Sequence, residues 1–235
     1  MLEAQLPLRA LAQNHSKFVG RTADARLVSP NARPFGLTYA EWSVRWWQWA
    51  LAIPAARNPI LDPDGRFAAE GQHGPVWFLA GTFGGTTSRT VNVPLGKFVF
   101  LPIINFIADY PCPGGDFCGT TPLQQCLSEQ AAFYMDRVTE LECVVDGVPI
   151  PMRKLFRQRA ASDLFTFLGD PSMAAVDACI TGTPQPGVSD GYWVMLTPMT
   201  PGLHTVYFRG KVVVEGPGGF TFETSLLYKL NVGGC

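Results

Sequence analysis

Charge is what this chain has least of. Only 16% of its 235 residues are Asp, Glu, Lys or Arg, well below the usual quarter. The 18 basic and 19 acidic residues are interspersed and leave a formal net charge of −1, so no basic face attracts nucleic acid or an anionic membrane. Long apolar runs are also missing. The longest, 98–108, contains a proline and is too short to cross a bilayer as a helix, so no transmembrane segment is expected. The opening MLEAQLPLRALAQNHSKFVG has no apolar core of signal-peptide length. Three scattered histidines have no second ligand at a metal spacing, and the six cysteines form no CxxC pair. No cofactor is expected.

What is present is a core. Apolar residues make up 47% of the chain, enough for one sizeable domain. The 20 Pro and 24 Gly, spread without a period, fit many short strands joined by tight turns. The stretch 74–105, GPVWFLAGTFGGTTSRTVNVPLGKFVFLPIIN, holds two apolar runs bounded by Gly and Pro, the pattern of strands covered on both faces. An Asp146-Gly147 hairpin follows, and then GYWVMLTP, HTVYFRGKVVVE and FTFETSLLYKLNV. The last alternates with period two, one face for the core and one for water. Without a repeating βαβ pattern, these strands predict a mainly β fold: an antiparallel β-sandwich of jelly-roll or Greek-key type over residues 37–235. Residues 1–36 read as an extended arm, suited to docking on a protein partner or a second copy.

Two helices are expected on the sheets. Thr38 and Glu41 form a capping box ahead of YAEWSVRWWQWALAIP, whose Tyr39, Trp42, Trp46, Trp49 and Ile53 make an apolar stripe ended by Pro54. A second helix opens at Thr121 and Pro122, with Leu123, Leu127, Tyr134 and Val138 on one face.

No constellation of residues specifies a reaction. Ligand-binding candidates are the polar groups at helix ends and strand mouths, Glu41, Gln72, His73, Asn105 and Asp109, together with Trp47, the one tryptophan off the helical stripe. Asp62 and Asp64, before Gly65, have the order of a type I turn and only weakly resemble the start of a calcium loop. GVSDG at 187–191 matches a nucleophile elbow in letters, but a Pro/Gly stretch precedes Ser189 and a strand follows it. Four cations, Arg153, Lys154, Arg157 and Arg159, read as a solvated face. Cys112 and Cys118, flanking the tight loop PGGDF, are the expected disulfide, and the even cysteine set favours an oxidising compartment.

Taken together, the Trp-rich helix, GQHGPVWFLAG, VNVPLGKFVFLPIIN, the DG hairpin, GYWVMLTPMTPGLHTVYFRG and the closing YKLNV resemble a family of mostly exported bacterial β-sandwich proteins with no assigned activity. The resemblance covers roughly residues 38–232 and implies an exported β fold, placing the protein in the periplasm or outside the cell. The expected role is a non-catalytic structural or interaction subunit of an exported or cell-envelope assembly. The alternative is a ligand-binding protein or hydrolase with a dispersed polar site at the mouth of the sandwich.

Overall fold

A computed structural model describes residues 26–234; most of the 1–36 arm, and Cys235, lie outside the described residues. In chain order come helix α1 (Tyr39–Ala52), strands β1 (Val76–Phe78), β2 (Gly85–Val93) and β3 (Phe98–Asp109), and helix α2 (Leu123–Met135). The hairpin β4 (Val138–Val145) and β5 (Val148–Pro149) is next, followed by the short helix α3 (Met152–Leu155) and strands β6 (Arg159–Ala161) and β7 (Phe165–Leu168). Three long strands close the fold: β8 (Pro184–Leu196), β9 (Gly202–Val214) and β10 (Phe220–Val232).

The strands form two five-stranded sheets. One has the order β1-β3-β8-β6, with β7 also paired to β8, and the other has the order β2-β10-β9-β4-β5. Both sheets are mixed rather than purely antiparallel, because β1 pairs parallel with β3 and β2 pairs parallel with β10. The chain leaves β1 for β2 in the other sheet and then returns to the first sheet as β3. The free side of β8 is covered in relay by β7, β6 and a bridge from Leu27 to Leu196.

One hydrophobic cluster draws on both sheets, with Trp77, Leu101 and Val194 from the first and Val91, Phe208 and Leu226 from the second. A second cluster lies on the other face of the first sheet, where α1 packs. Thr38 caps α1 as expected, exchanging hydrogen bonds with Glu41, and Ile53 before Pro54 is extended and ends it. Trp46 packs edge-on to Trp193, which stacks on Phe100 with ring centroids 5.2 Å apart. The closing strand is not the simple one-sided ribbon its alternation implies: residues 224–228 are all buried, and Val144, Tyr207 and Leu227 form their own cluster.

The DG turn joins β4 to β5 with Asp146 and Gly147 both at positive φ, as a type I′ turn requires. The Asp146 carboxylate contacts His204 Nδ1 at 2.7 Å and accepts from Thr205 N at 2.8 Å, tying the turn to β9. Arg159 is no solvated cation. It pairs with the buried Asp190 at 2.7 Å and with Asp136 at 2.5 Å.

Two features of β3 shape everything beside it. The bond from Phe98 N to Pro75 O shows that even-numbered amides in its first half face β1, so Pro102 removes the donor that would continue that ladder. Pairing with β1 stops at Phe100, and among the described residues the rest of β3 has its strand partner in β8. The register then slips between Pro102 and Ile104. This bulge swaps the faces, so Asn105, Ile107 and Asp109 turn towards α1 instead of towards the other sheet. Two glycines make room for it. A Cβ on Gly210 would lie 2.7 Å from Ile104 Cβ, and one on Gly191 would lie 2.7 Å from Asn105 Cβ.

Arg89 is the fold's least expected core residue, 2% exposed on the inward face of β2 beside Val91 and Val93. Its Nε donates to Asp62 O at 2.7 Å, Nη2 to Ile60 O at 2.9 Å, and Nη1 to Ala80 O and Gly81 O at 3.1 Å each and to the Tyr228 hydroxyl at 2.6 Å.

The disulfides also depart from expectation. Cys112 bonds to Cys179 and Cys118 to Cys126, so the Cys112–Cys118 pair does not form. Antiparallel pairing of β3 with β8, carried one step further by Tyr110 N to Pro186 O, lays the exit of β3 against the approach to β8. Cys118 instead lies before α2, whose first turn carries Cys126. Cys143 is a free, fully buried thiol, and burial pushes its pKa up to about 12.

Two outcomes are expected. Arg89→Lys keeps the charge but loses the planar fork, and should lower the unfolding free energy by about 3 kcal/mol or more, measured by urea denaturation. Non-reducing peptide mapping should return the 112–179 and 118–126 pairs, with Cys143 alkylated only after unfolding; a recovered 112–118 peptide would contradict the described geometry.

Candidate functional site

Where β1 stops pairing with β3, a cavity of about 430 Å³ opens. Trp46, Trp47 and Leu51 of α1 form one wall, facing Asn105, Ile107 and Asp109 of β3. The segment Gly81, Thr82 and Phe83 bounds it where the chain departs from β1, and Val176, Asp177 and the Cys112–Cys179 bridge close one end. Tyr134 of α2 with Phe220 and Phe222 of β10 line the far side, past the edge of β3. Aromatic and aliphatic groups dominate. Among the described residues lining it there is no Lys, Arg or His.

The polar groups are few, and their states differ. Asp109 is 4% exposed, and its Oδ2 accepts from Gln185 Nε2 at 2.9 Å. Burial, reinforced by the Asp177 carboxylate, raises its pKa to about 7. Gln185 is held in turn by donating to Cys179 O at 2.9 Å and accepting from Thr181 N at 2.8 Å. The tryptophans of α1 divide. Trp42, Trp46 and Trp49 donate their indole N–H groups to the carbonyls of Pro34, Leu79 and Glu70. The Trp47 indole N–H is buried and has no protein acceptor, and the Nδ2 amide of Asn105 shares that condition.

Three of the six sequence candidates, Trp47, Asn105 and Asp109, therefore meet in one cavity. The other three do not reach it. Glu41 is exposed and spends its carboxylate on the Thr38 N–H and hydroxyl, which hold its pKa below the usual range. Gln72 bonds the backbone of Phe78 and Ala68, which makes it a brace for β1. His73 is exposed on the loop beside it.

Asp62 and Asp64 are occupied as turn residues. Asp62 accepts from Asp64 N and Phe67 N, and Asp64 accepts from Arg66 N and Nε. Ser189 is buried inside β8, at no elbow. Asp109, Cys112 and Cys179 have ligand atoms within 4.8 Å of one another, but the two sulfurs are joined in a disulfide and offer a metal no thiolate.

Reading the sequence missed Asp177, Gln185 and the aromatic residues of the far wall. Nothing local marks them, because they reach the cavity from segments far apart in the chain.

Asp109 generates a pH prediction. With a native pKa near 7 and an unfolded value near 3.9, the native state keeps a proton that the unfolded chain releases over pH 4 to 7. Its contribution to stability therefore falls as pH rises through that window and levels off above it. Asp109→Asn keeps an acceptor for Gln185 and removes the titration. The variant should gain on the wild type between pH 4.5 and 8, by up to about 3 kcal/mol at about 1.4 per pKa unit, in paired denaturation curves.

Compared with protein-family models, curated proteins and solved structures, the chain shows no match.

Proposed function

We propose that this protein binds a small, mainly apolar molecule in the cavity beside the second half of β3. The observation that carries the reading is the cavity's composition: aromatic and aliphatic walls with a few convergent polar groups, one of them a buried acid poised near neutrality. The cavity favours this class over the structural-subunit role that the sequence alone points to. Supporting residues are Trp47, Asn105 and Asp109, with the Cys112–Cys179 bridge as a covalent end wall.

The shared core of the two sheets supports reading the fold as a β-sandwich. The two disulfides support work in an oxidising compartment, periplasmic or extracellular. No described helix is long and apolar enough to cross a membrane.

A fluorescent apolar probe, N-phenyl-1-naphthylamine, should bind saturably at about one per chain. Thr82→Trp, which adds bulk at a half-buried wall position on a loop, should weaken it by roughly tenfold or more while the fold survives. Absence of saturable binding, or binding indifferent to Thr82→Trp, would remove the reading.

A further inference from the structure

The chemistry of the lining narrows the ligand beyond "small and apolar", an inference that rests on the binding site proposed above. An indole N–H can only donate. Trp42, Trp46 and Trp49 satisfy theirs on backbone carbonyls, and of the described indoles left buried without a protein acceptor, Trp47, Trp77 and Trp193, only Trp47 lines the cavity. Trp47 is 6% exposed, lines the cavity, and has a buried N–H with no protein acceptor. A buried donor in that state costs about 1–3 kcal/mol, which an acceptor on a ligand recovers.

Asn105 adds a second buried, unpartnered donor on the facing strand. Its position is constrained, because the β3 bulge aims it towards α1 and Gly191 lies against its Cβ.

Charge supplies the complementary exclusion. The described lining holds two carboxyl groups, Asp109 and Asp177, and no cation. A carboxylate, sulfate or phosphate entering this space would lose its hydration and meet like charge with no counter-ion. The acceptor must therefore be neutral.

We infer that the cavity takes an uncharged molecule with an apolar, aromatic-sized body and a carbonyl-type oxygen, and that the oxygen accepts hydrogen bonds from Trp47 Nε1 and Asn105 Nδ2. Trp47 and Asn105 are the groups that set this specificity. The ring walls hold the body and do not distinguish a ketone from a hydrocarbon of the same shape.

A matched series tests the assignment: 2-acetylnaphthalene, 2-isopropylnaphthalene and 2-naphthoate share one shape and differ only in the terminal group. Their affinities are measured by calorimetry or by displacement of the fluorescent probe, on the full chain at pH 8. The ketone should bind about 5-fold to 100-fold tighter than the hydrocarbon, the range one or two rescued buried donors imply. Naphthoate should bind worst.

Trp47→Phe keeps an aromatic wall and removes the donor. It should reduce the ketone's advantage over the hydrocarbon by about fivefold or more, a ratio that does not depend on what the smaller ring costs both ligands alike. Asn105→Leu, a second variant independent of Trp47, should also shrink the advantage. Equal binding of ketone and hydrocarbon, or preference for naphthoate, would overturn the ligand class while leaving the cavity a binding site. Failure of all three probes and of the fluorescent probe to bind would overturn the site as well.

Discussion

A buried guanidinium is the constraint on which the rest of the structure depends. Taking the Arg89 charge out of water is costly unless its donors are all directed at acceptors. The fold answers much of that demand with four carbonyls and the Tyr228 hydroxyl, three of these five acceptors gathered around Nη1. Those acceptors belong to segments with no hydrogen-bond ladder in common: the turn at 60–62, the end of the β1 segment at 80–81, and β10. The guanidinium fork thus fixes where each segment crosses the others. Ile60 and Gly81 line the cavity, so the geometry of the candidate site is set partly by a residue that does not touch it.

β3 provides the other half of that geometry. Pro102 cannot extend the ladder to β1, so the chain diverges at Ala80 and Gly81 and leaves the strand's flank for a cavity. The bulge just beyond then turns Asn105 and Asp109 to the α1 side. One local irregularity thereby opens space and delivers polar groups into it, a common use of bulges near sites. The Cys112–Cys179 bridge and Gln185 hold the far end, keeping Asp109 buried and its proton affinity high.

Much of the fold was legible because its signals are local. A capping box, a proline after Ile53, and an Asp-Gly pair between β-branched runs each act within a few residues, and α1 and the β4–β5 hairpin follow them closely. Arg89 was legible in principle: alternation with Val91 and Val93 puts it on the inward face, but a charged residue is normally assigned outward. Trp47 stood out as the tryptophan off the helical stripe. Its unpaired N–H, which gives that position a chemical meaning, depends on carbonyls supplied by distant segments.

By itself the sequence determined the mainly β class, the two long helices and the principal turns, because composition and short-range periodicity decide those. Only the tertiary structure decided which strands run parallel, which cysteines meet, and which polar residues share a cavity. Those outcomes depend on register and on sheet crossings between segments far apart in the chain. The slip at Pro102 shows why. With period-two alternation, displacement by a single residue moves Asn105 and Asp109 from one face of the sheet to the other, and no local pattern in the chain announces it.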